Sequence, residues 1–121
     1  MKICVTAKDK GIDSGIDPRF GRCAYFVIVD SESGSVNSFE NTGLDAAGGA
    51  GIRAAEAVAN LGAEVLLTGS VGPNAYSILS EVGIEVRVGI KDTVSAALDA
   101  YREGKLESID SPNASAHAGM K

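Results

Sequence analysis

The chain has no tryptophan, only 2 cysteines, 3 prolines and a single histidine, and aromatic residues make up 5% of its 121 positions. Each shortage removes a class of protein. The lack of tryptophan and the few other rings speak against a large aromatic recognition surface. Two cysteines are too few for a disulfide-stapled scaffold. No stretch approaches the roughly 20 apolar residues of a membrane-spanning helix. The opening MKICVTAKDK carries too short an apolar run for a secretory signal, so we expect a cytoplasmic protein whose cysteines are thiols. Basic residues are scarce as well: 11 lysines and arginines face 16 acidic residues, for a formal net charge of −5. That balance argues against general nucleic-acid binding, which needs a basic face.

What is abundant is small and apolar. The hydrophobic fraction of 45% suits a single globular core, and alanine and glycine favour helices packed closely on a sheet. The chain is organised around Ala46–Val86. Ile52, Ala55, Val58 and Leu61 form a helical stripe closed by Gly62. The run Val65-Leu66-Leu67 has the length and composition of a strand covered on both faces. Pro73 suits a first helical position, and Ala75, Ile78, Leu79 and Val82 form the next stripe, stopped by Gly83. Ile84–Val88 reads as a further strand.

Upstream, Lys2–Ala7 reads as the first strand and Lys8–Arg22 as a long loop, a kind of segment that often carries function. Ala24–Asp30 is the second strand, SESGS a hairpin turn, and Val36–Asn41 a third strand with edge character. Thr42–Gly51 is a second glycine-rich loop. A final helix, capped by Asp92 or Thr93, carries Val94, Ala97, Leu98 and Tyr101 and ends at Gly104. The polar tail from Lys105 to Lys121 has no period and is expected to be mobile.

The element order βββαβαβα is satisfied by a five-stranded mixed sheet in the order 3-2-1-4-5. Only the second strand is antiparallel, and helices lie on both faces. This α/β arrangement is the ribonuclease H-like layout. It brings Lys8, Arg19, Arg22, Cys23, Asn41, Gly48–Arg53, Gly69–Asn74 and the Gly89 turn to one sheet edge. That edge is where open α/β sheets bind ligands.

Several readings of these residues stay open. Gly49-Ala50-Gly51-Ile52-Arg53-Ala54 matches the dinucleotide fingerprint G-x-G-x-x-A, but no acidic residue ends a strand about 20 positions later. A small anion at the helix N-terminus, or simply a flexible start to a helix, fits the same glycines. Arg19, Arg22 and Arg53 are solvated loop arginines or anion contacts. Cys4 reads as a core residue. Cys23, near the loop mouth, and His117, in the tail, are weak candidates for a metal. Asn113-Ala114-Ser115 fits a glycosylation sequon but lacks a secretory context. The carboxylates that serve nuclease chemistry on this layout are missing from the first and fourth strands, and no acid–base pair stands out, so the chain reads as a binder and not an enzyme.

Three segments carry a resemblance. Asp17-Pro18-Arg19-Phe20-Gly21-Arg22 with the following Tyr25–Asp30, then Gly48-Gly49-Ala50-Gly51-Ile52, then Thr68–Ala75 resemble, in order, the signatures of the dinitrogenase iron–molybdenum cofactor-binding family, the NifX/NifB-like domain. The resemblance spans residues 1–106, leaving 107–121 as a tail. It implies non-enzymatic binding or carrying of an anionic metal–sulfur cluster. That cargo would be a molybdenum–copper sulfide cluster, as in orange proteins of sulfate reducers, or an iron–molybdenum cofactor precursor. It further implies an ATPase of the MinD-like P-loop type as a partner in some members, and hence a regulatory or scaffold role as the alternative. The motifs place Arg19, Phe20, Gly21, Arg22, Cys23, Asn41, Gly48, Gly49, Gly51, Arg53, Gly69, Ser70, Gly72 and Asn74 at the cofactor site. Many nitrogenase-linked members carry histidine where this chain has Arg19. An arginine cannot ligate a metal but can pair with a cluster's negative charge, which weakens a direct role in nitrogenase cofactor assembly and fits the orange-protein type or an uncharacterised relative better.

Overall fold

The computed structural model describes residues 1–43 and 49–114. Its element order is β1 (Lys2–Ala7), β2 (Tyr25–Asp30), β3 (Val36–Glu40), α1 (Ala50–Asn60), β4 (Val65–Thr68), α2 (Pro73–Glu81), β5 (Glu85–Val88), α3 (Val94–Arg102) and β6 (Glu107–Ser108). The strands form one mixed sheet in the order β3-β2-β1-β4-β5-β6. Strand β1 runs parallel to β4, β4 is parallel to β5, and β2 is antiparallel to both its neighbours.

Five of these strands occupy the expected order, and the sixth corrects it. Glu107 and Ser108, expected within an aperiodic tail, pair antiparallel with Val88 and Arg87. Two residues are too few to show a period of two, and only Leu106 beside them is apolar and buried.

Side chains alternate across the sheet, and each face has its own core. Cys4, Phe26, Ile28, Leu66, Val86 and Val88 face one side, covered by Ala54, Ala55 and Val58 of α1 and by Ala75 and Leu79 of α2. Ile3, Val5, Val27, Val29, Val65 and Leu67 face the other, covered by Val94, Ala97 and Leu98 of α3. Burial of each such leucine, valine or phenylalanine is worth about 1.5–3 kcal/mol, so the two-sided strands dominate the stability.

The helices depart from their expected stripes in detail. Helix α1 buries Ala50, Ala54, Ala55 and Val58, while Ile52 is exposed. Small residues line this face because α1 packs against α2: the nearest atom to a Cβ built on Gly51 is the Ala75 Cβ, at 3.5 Å. Helix α2 buries Ala75 and Leu79 and leaves Val82 exposed. Helix α3 is capped by the Thr93 side chain, which accepts from the Ala96 N–H; Asp92, the other expected cap, instead takes a positive φ of 64°. No helix among the described residues is long and apolar enough to cross a membrane.

Candidate functional site

The carboxyl ends of β1 and β4 are tied by buried threonines. The Thr6 and Thr68 hydroxyls lie 2.9 Å apart, and the Thr6 hydroxyl also donates to the Asp17 carbonyl at 2.5 Å. This fixes the return of the long loop over the sheet edge. From Asp17 the loop runs beside the segment that follows β4. Ser70 N–H donates to the Pro18 carbonyl at 2.6 Å, and Phe20 N–H donates to the Ser70 carbonyl at 3.1 Å, so Arg19 and Ser70 form a parallel bridge. The contact requires glycine at position 69, where an added Cβ would sit 2.5 Å from both the Cβ and the carbonyl oxygen of Pro18. Phe20 then turns inward. It is buried, with its ring centroid 6.5 Å from that of Phe26, and it anchors the loop to the core.

Gly21 brings this loop against the start of α1. Its φ is +97°, and a Cβ there would lie 3.0 Å from Gly51 Cα and 3.1 Å from Gly51 N. Helix α1 begins after Gly49 and α2 after Gly72, so neither N-cap has a side chain to satisfy the first-turn N–H groups. Neither first turn carries an acidic residue. Because Gly51 faces Ala75, these two N-termini open close together, beside the Arg19–Arg22 segment. The partial positive charges of two helix N-termini therefore lie at this corner.

The expected site residues divide by role. Asn41 is buried, and its amide nitrogen donates to the Cys23 carbonyl at 2.8 Å and the Gly21 carbonyl at 3.4 Å, while its oxygen accepts from Gly43 N–H at 3.2 Å. It shapes the loop from below. Gly43 in turn leaves room for Arg53, whose Cβ would lie 2.7 Å from a Cβ at that position. Arg19, Arg53 and Asn74 are exposed and Arg22 half-buried, so charge and polarity face outward at the rim. Gly48 and His117 lie outside the described residues.

Two residues have surroundings that the sequence did not reveal. Arg19 pairs with a carboxylate. Its Nε and Nη2 each lie 3.3 Å from an oxygen of the buried Asp17 carboxylate, and its own N–H donates to Asp17 Oδ1 at 3.0 Å. The hydrogen bond and charge of Asp17 raise the Arg19 pKa further above its ordinary value. Cys23 lies beneath the loop mouth, with no exposure, inside the core cluster of α1 and α2. Burial, aided by the Asp17 charge, pushes its thiol up to about 12. Cys4 is also buried, and its pKa is raised well above the ordinary thiol value by burial and then by Cys23. Both cysteines are free thiols.

Three contributors were not expected from the sequence. Asp17 pairs with Arg19, Pro18 fits over Gly69, and Asn113, met only as a sequon, bonds to the loop after β4. Asp17 and Pro18 lie inside the quoted motif, so their place was visible though their contacts were not.

Guanidinium groups and backbone amides suit a polyatomic anion held by charge and hydrogen bonds. Among the described residues no group of three or more His, Cys, Asp or Glu side chains is placed to hold a metal ion. The Gly49–Ala54 segment does not follow a strand through a tight turn, since β3 ends at Glu40, so it lacks the strand–turn–helix context of a dinucleotide fingerprint.

Fold and rim together define a small α/β protein with a mixed sheet and two glycine-capped helix N-termini at one edge. The chain belongs to the dinitrogenase iron-molybdenum cofactor family, whose model matches residues 1–104. Its fold is similar to that of the apo form of the orange protein from Desulfovibrio gigas, at 40% identity and a TM-score of 0.89, covering 93% of this chain and 96% of that one. A Thermotoga protein, solved by NMR and assigned as a NifB protein, is 36% identical with a TM-score of 0.79, covering 88% of this chain and 91% of that one. An uncharacterised protein of Methanocaldococcus jannaschii is 33% identical over 98 residues, which are 78% of this chain and 83% of that protein.

Proposed function

We propose that this protein binds or carries, without catalysing a reaction, an anionic metal–sulfur cluster containing molybdenum. The cargo is a molybdenum–copper sulfide cluster or an iron–molybdenum cofactor precursor. The observation that carries the proposal is the convergence of the α1 and α2 N-termini, capped by Gly49 and Gly72, beside the Arg19–Arg22 loop. Family membership supports the same reading.

The residues fit such a cargo by outer contacts. Backbone amides of the two first turns would donate to its sulfides, and Arg22, Arg53 and the outward part of Arg19 would offset its charge. Cys23 supports the loop as a neutral thiol, and Asn41, Phe20 and Gly69 hold the rim in shape. The likeness to the ribonuclease H-like layout belongs to this reading as scaffold only.

Reconstitution with tetrathiomolybdate and copper, followed by desalting, tests it. A visible chromophore that elutes with the protein is the expected result. A colourless protein with no retained molybdenum would sink the proposal. The alternative, a scaffold that acts through an ATPase of the MinD-like type, predicts that the metal-free protein captures such an ATPase as well as the loaded protein does.

A further inference from the structure

The family match ends at residue 104, yet the chain continues as a strap that reaches the rim. After Leu106, β6 pairs with β5, Arg87 Nη1 donates to the Leu106 carbonyl at 3.1 Å, and Ile109 N–H donates to the Val86 carbonyl at 3.1 Å. The strap then meets the segment between β4 and α2. The Asn113 amide nitrogen donates to the Gly69 carbonyl at 2.8 Å, and its oxygen accepts from Val71 N–H at 2.8 Å. Asn113 N–H donates to the Val71 carbonyl at 3.2 Å.

Val71 is buried, so these bonds matter to its backbone. One side chain spans the carbonyl of residue 69 and the N–H of residue 71, and both backbone groups of Val71 are taken by Asn113. On its other side the same segment is held by Pro18 and Phe20 through Ser70. Gly69–Gly72, which leads straight into the α2 N-terminus, is therefore gripped from both sides. One grip comes from the family signature and the other from outside it.

We infer that Asn113 is a positioning residue for the anion site: the C-terminal strap holds Gly69–Gly72 so that the amides opening α2 point at the cargo. This rests on the proposed function. A free segment would have to be ordered again on each binding event. Ordering about one residue's backbone corresponds to roughly a tenfold loss of affinity.

The experiment compares Asn113→Ala with wild type, with Asn60→Ala as the control for loss of an exposed asparagine elsewhere. Amide hydrogen exchange is read on metal-free protein, and release of the reconstituted tetrathiomolybdate–copper chromophore is timed after desalting. Asn113→Ala should speed exchange at Ser70 and Val71, leave β1 and β4 protected, and release the chromophore about tenfold faster; Asn60→Ala should do neither. Wild-type release from Asn113→Ala, with or without faster exchange, overturns the inference alone. A wild-type protein that holds no chromophore overturns the proposed function and takes this inference with it. Uniform loss of protection across the sheet would mean that the strap supports the fold and not the site, and would overturn the inference too.

Discussion

Gly21 and Gly51 meet backbone to backbone, with so little space that a Cβ on Gly21 would lie 3.0 Å from Gly51 Cα. This contact joins the loop after β1 to the first turn of α1 and sets the geometry of the rim.

Gly21→Ala should therefore act twice, through the strained φ of +97° and through the clash with Gly51. A destabilisation of about 1–3 kcal/mol is expected from such strain. Gly69→Ala, which meets Pro18, should be at least as costly. Urea denaturation measures both, and Gly34→Ala is the comparison: its φ is +77° but a Cβ would have nothing within 4 Å. If Gly34→Ala costs as much as Gly21→Ala, close approach contributes nothing.

Asp17 and Arg19 should couple. Arg19→Ala leaves the buried carboxylate with its backbone partner but without the guanidinium, a loss of about 1–3 kcal/mol for a charged group. Asp17→Asn removes the need for that partner. A double-mutant cycle should therefore find the pair less destabilised than the sum of the singles. Strict additivity would show the ion pair to be without weight, as the 56% exposure of the Arg19 side chain would favour on its own.

Arg22→Ala combined with Arg53→Ala should weaken cargo retention. Losing two charged hydrogen bonds of at least about 1.5 kcal/mol each weakens binding by two orders of magnitude or more. The effect should shrink as salt is raised, since screening weakens both versions. Unchanged retention at low salt would remove these arginines from the site.

Cys23 gives the stability a defined pH dependence. Its thiol, ordinarily near 9.0, is pushed up to about 12 in the folded protein, chiefly by burial. Below pH 9 the thiol is protonated in both states and the full stability is present. Between about pH 9 and 12 the unfolded chain releases the proton first, binds fewer protons than the native state, and stability falls. Each unit of difference is worth about 1.36 kcal/mol. Urea midpoints at pH 7.5 and 10.5 should separate more for wild type than for Cys23→Ala. Cys23→Ala should also keep its cargo, and release of metal by that variant would replace charge-based holding with thiolate ligation.

Much of this architecture was legible in the sequence because it rests on strong local signals. The two-sided strands at Ile3–Val5 and Val65–Leu67 are short apolar runs, and Gly62, Pro73, Gly83 and Gly104 punctuate the helices. Five strands in order were enough to bring the loops to one edge. What was not legible depends on contacts across the fold. Nothing in a loop arginine reveals that a buried aspartate two positions earlier holds it. Ile52 looked like a core residue because its spacing fits a stripe, but α2 approaches the neighbouring alanine face. Cys23 stands next to a polar loop in sequence, yet the loop passes over it. Strand β6 and Asn113 gain their place only from β5 and the Gly69–Val71 backbone.

The most direct test of the central claim is metal and acid-labile sulfide analysis of the protein purified from its native host without added metal. Molybdenum and sulfide that remain with the wild-type protein through gel filtration at low salt, and are lost under the same conditions from the Arg22→Ala, Arg53→Ala variant, are the result the account predicts. Protein that emerges free of molybdenum while in its native host, or that holds its metal unchanged in that variant, would contradict it.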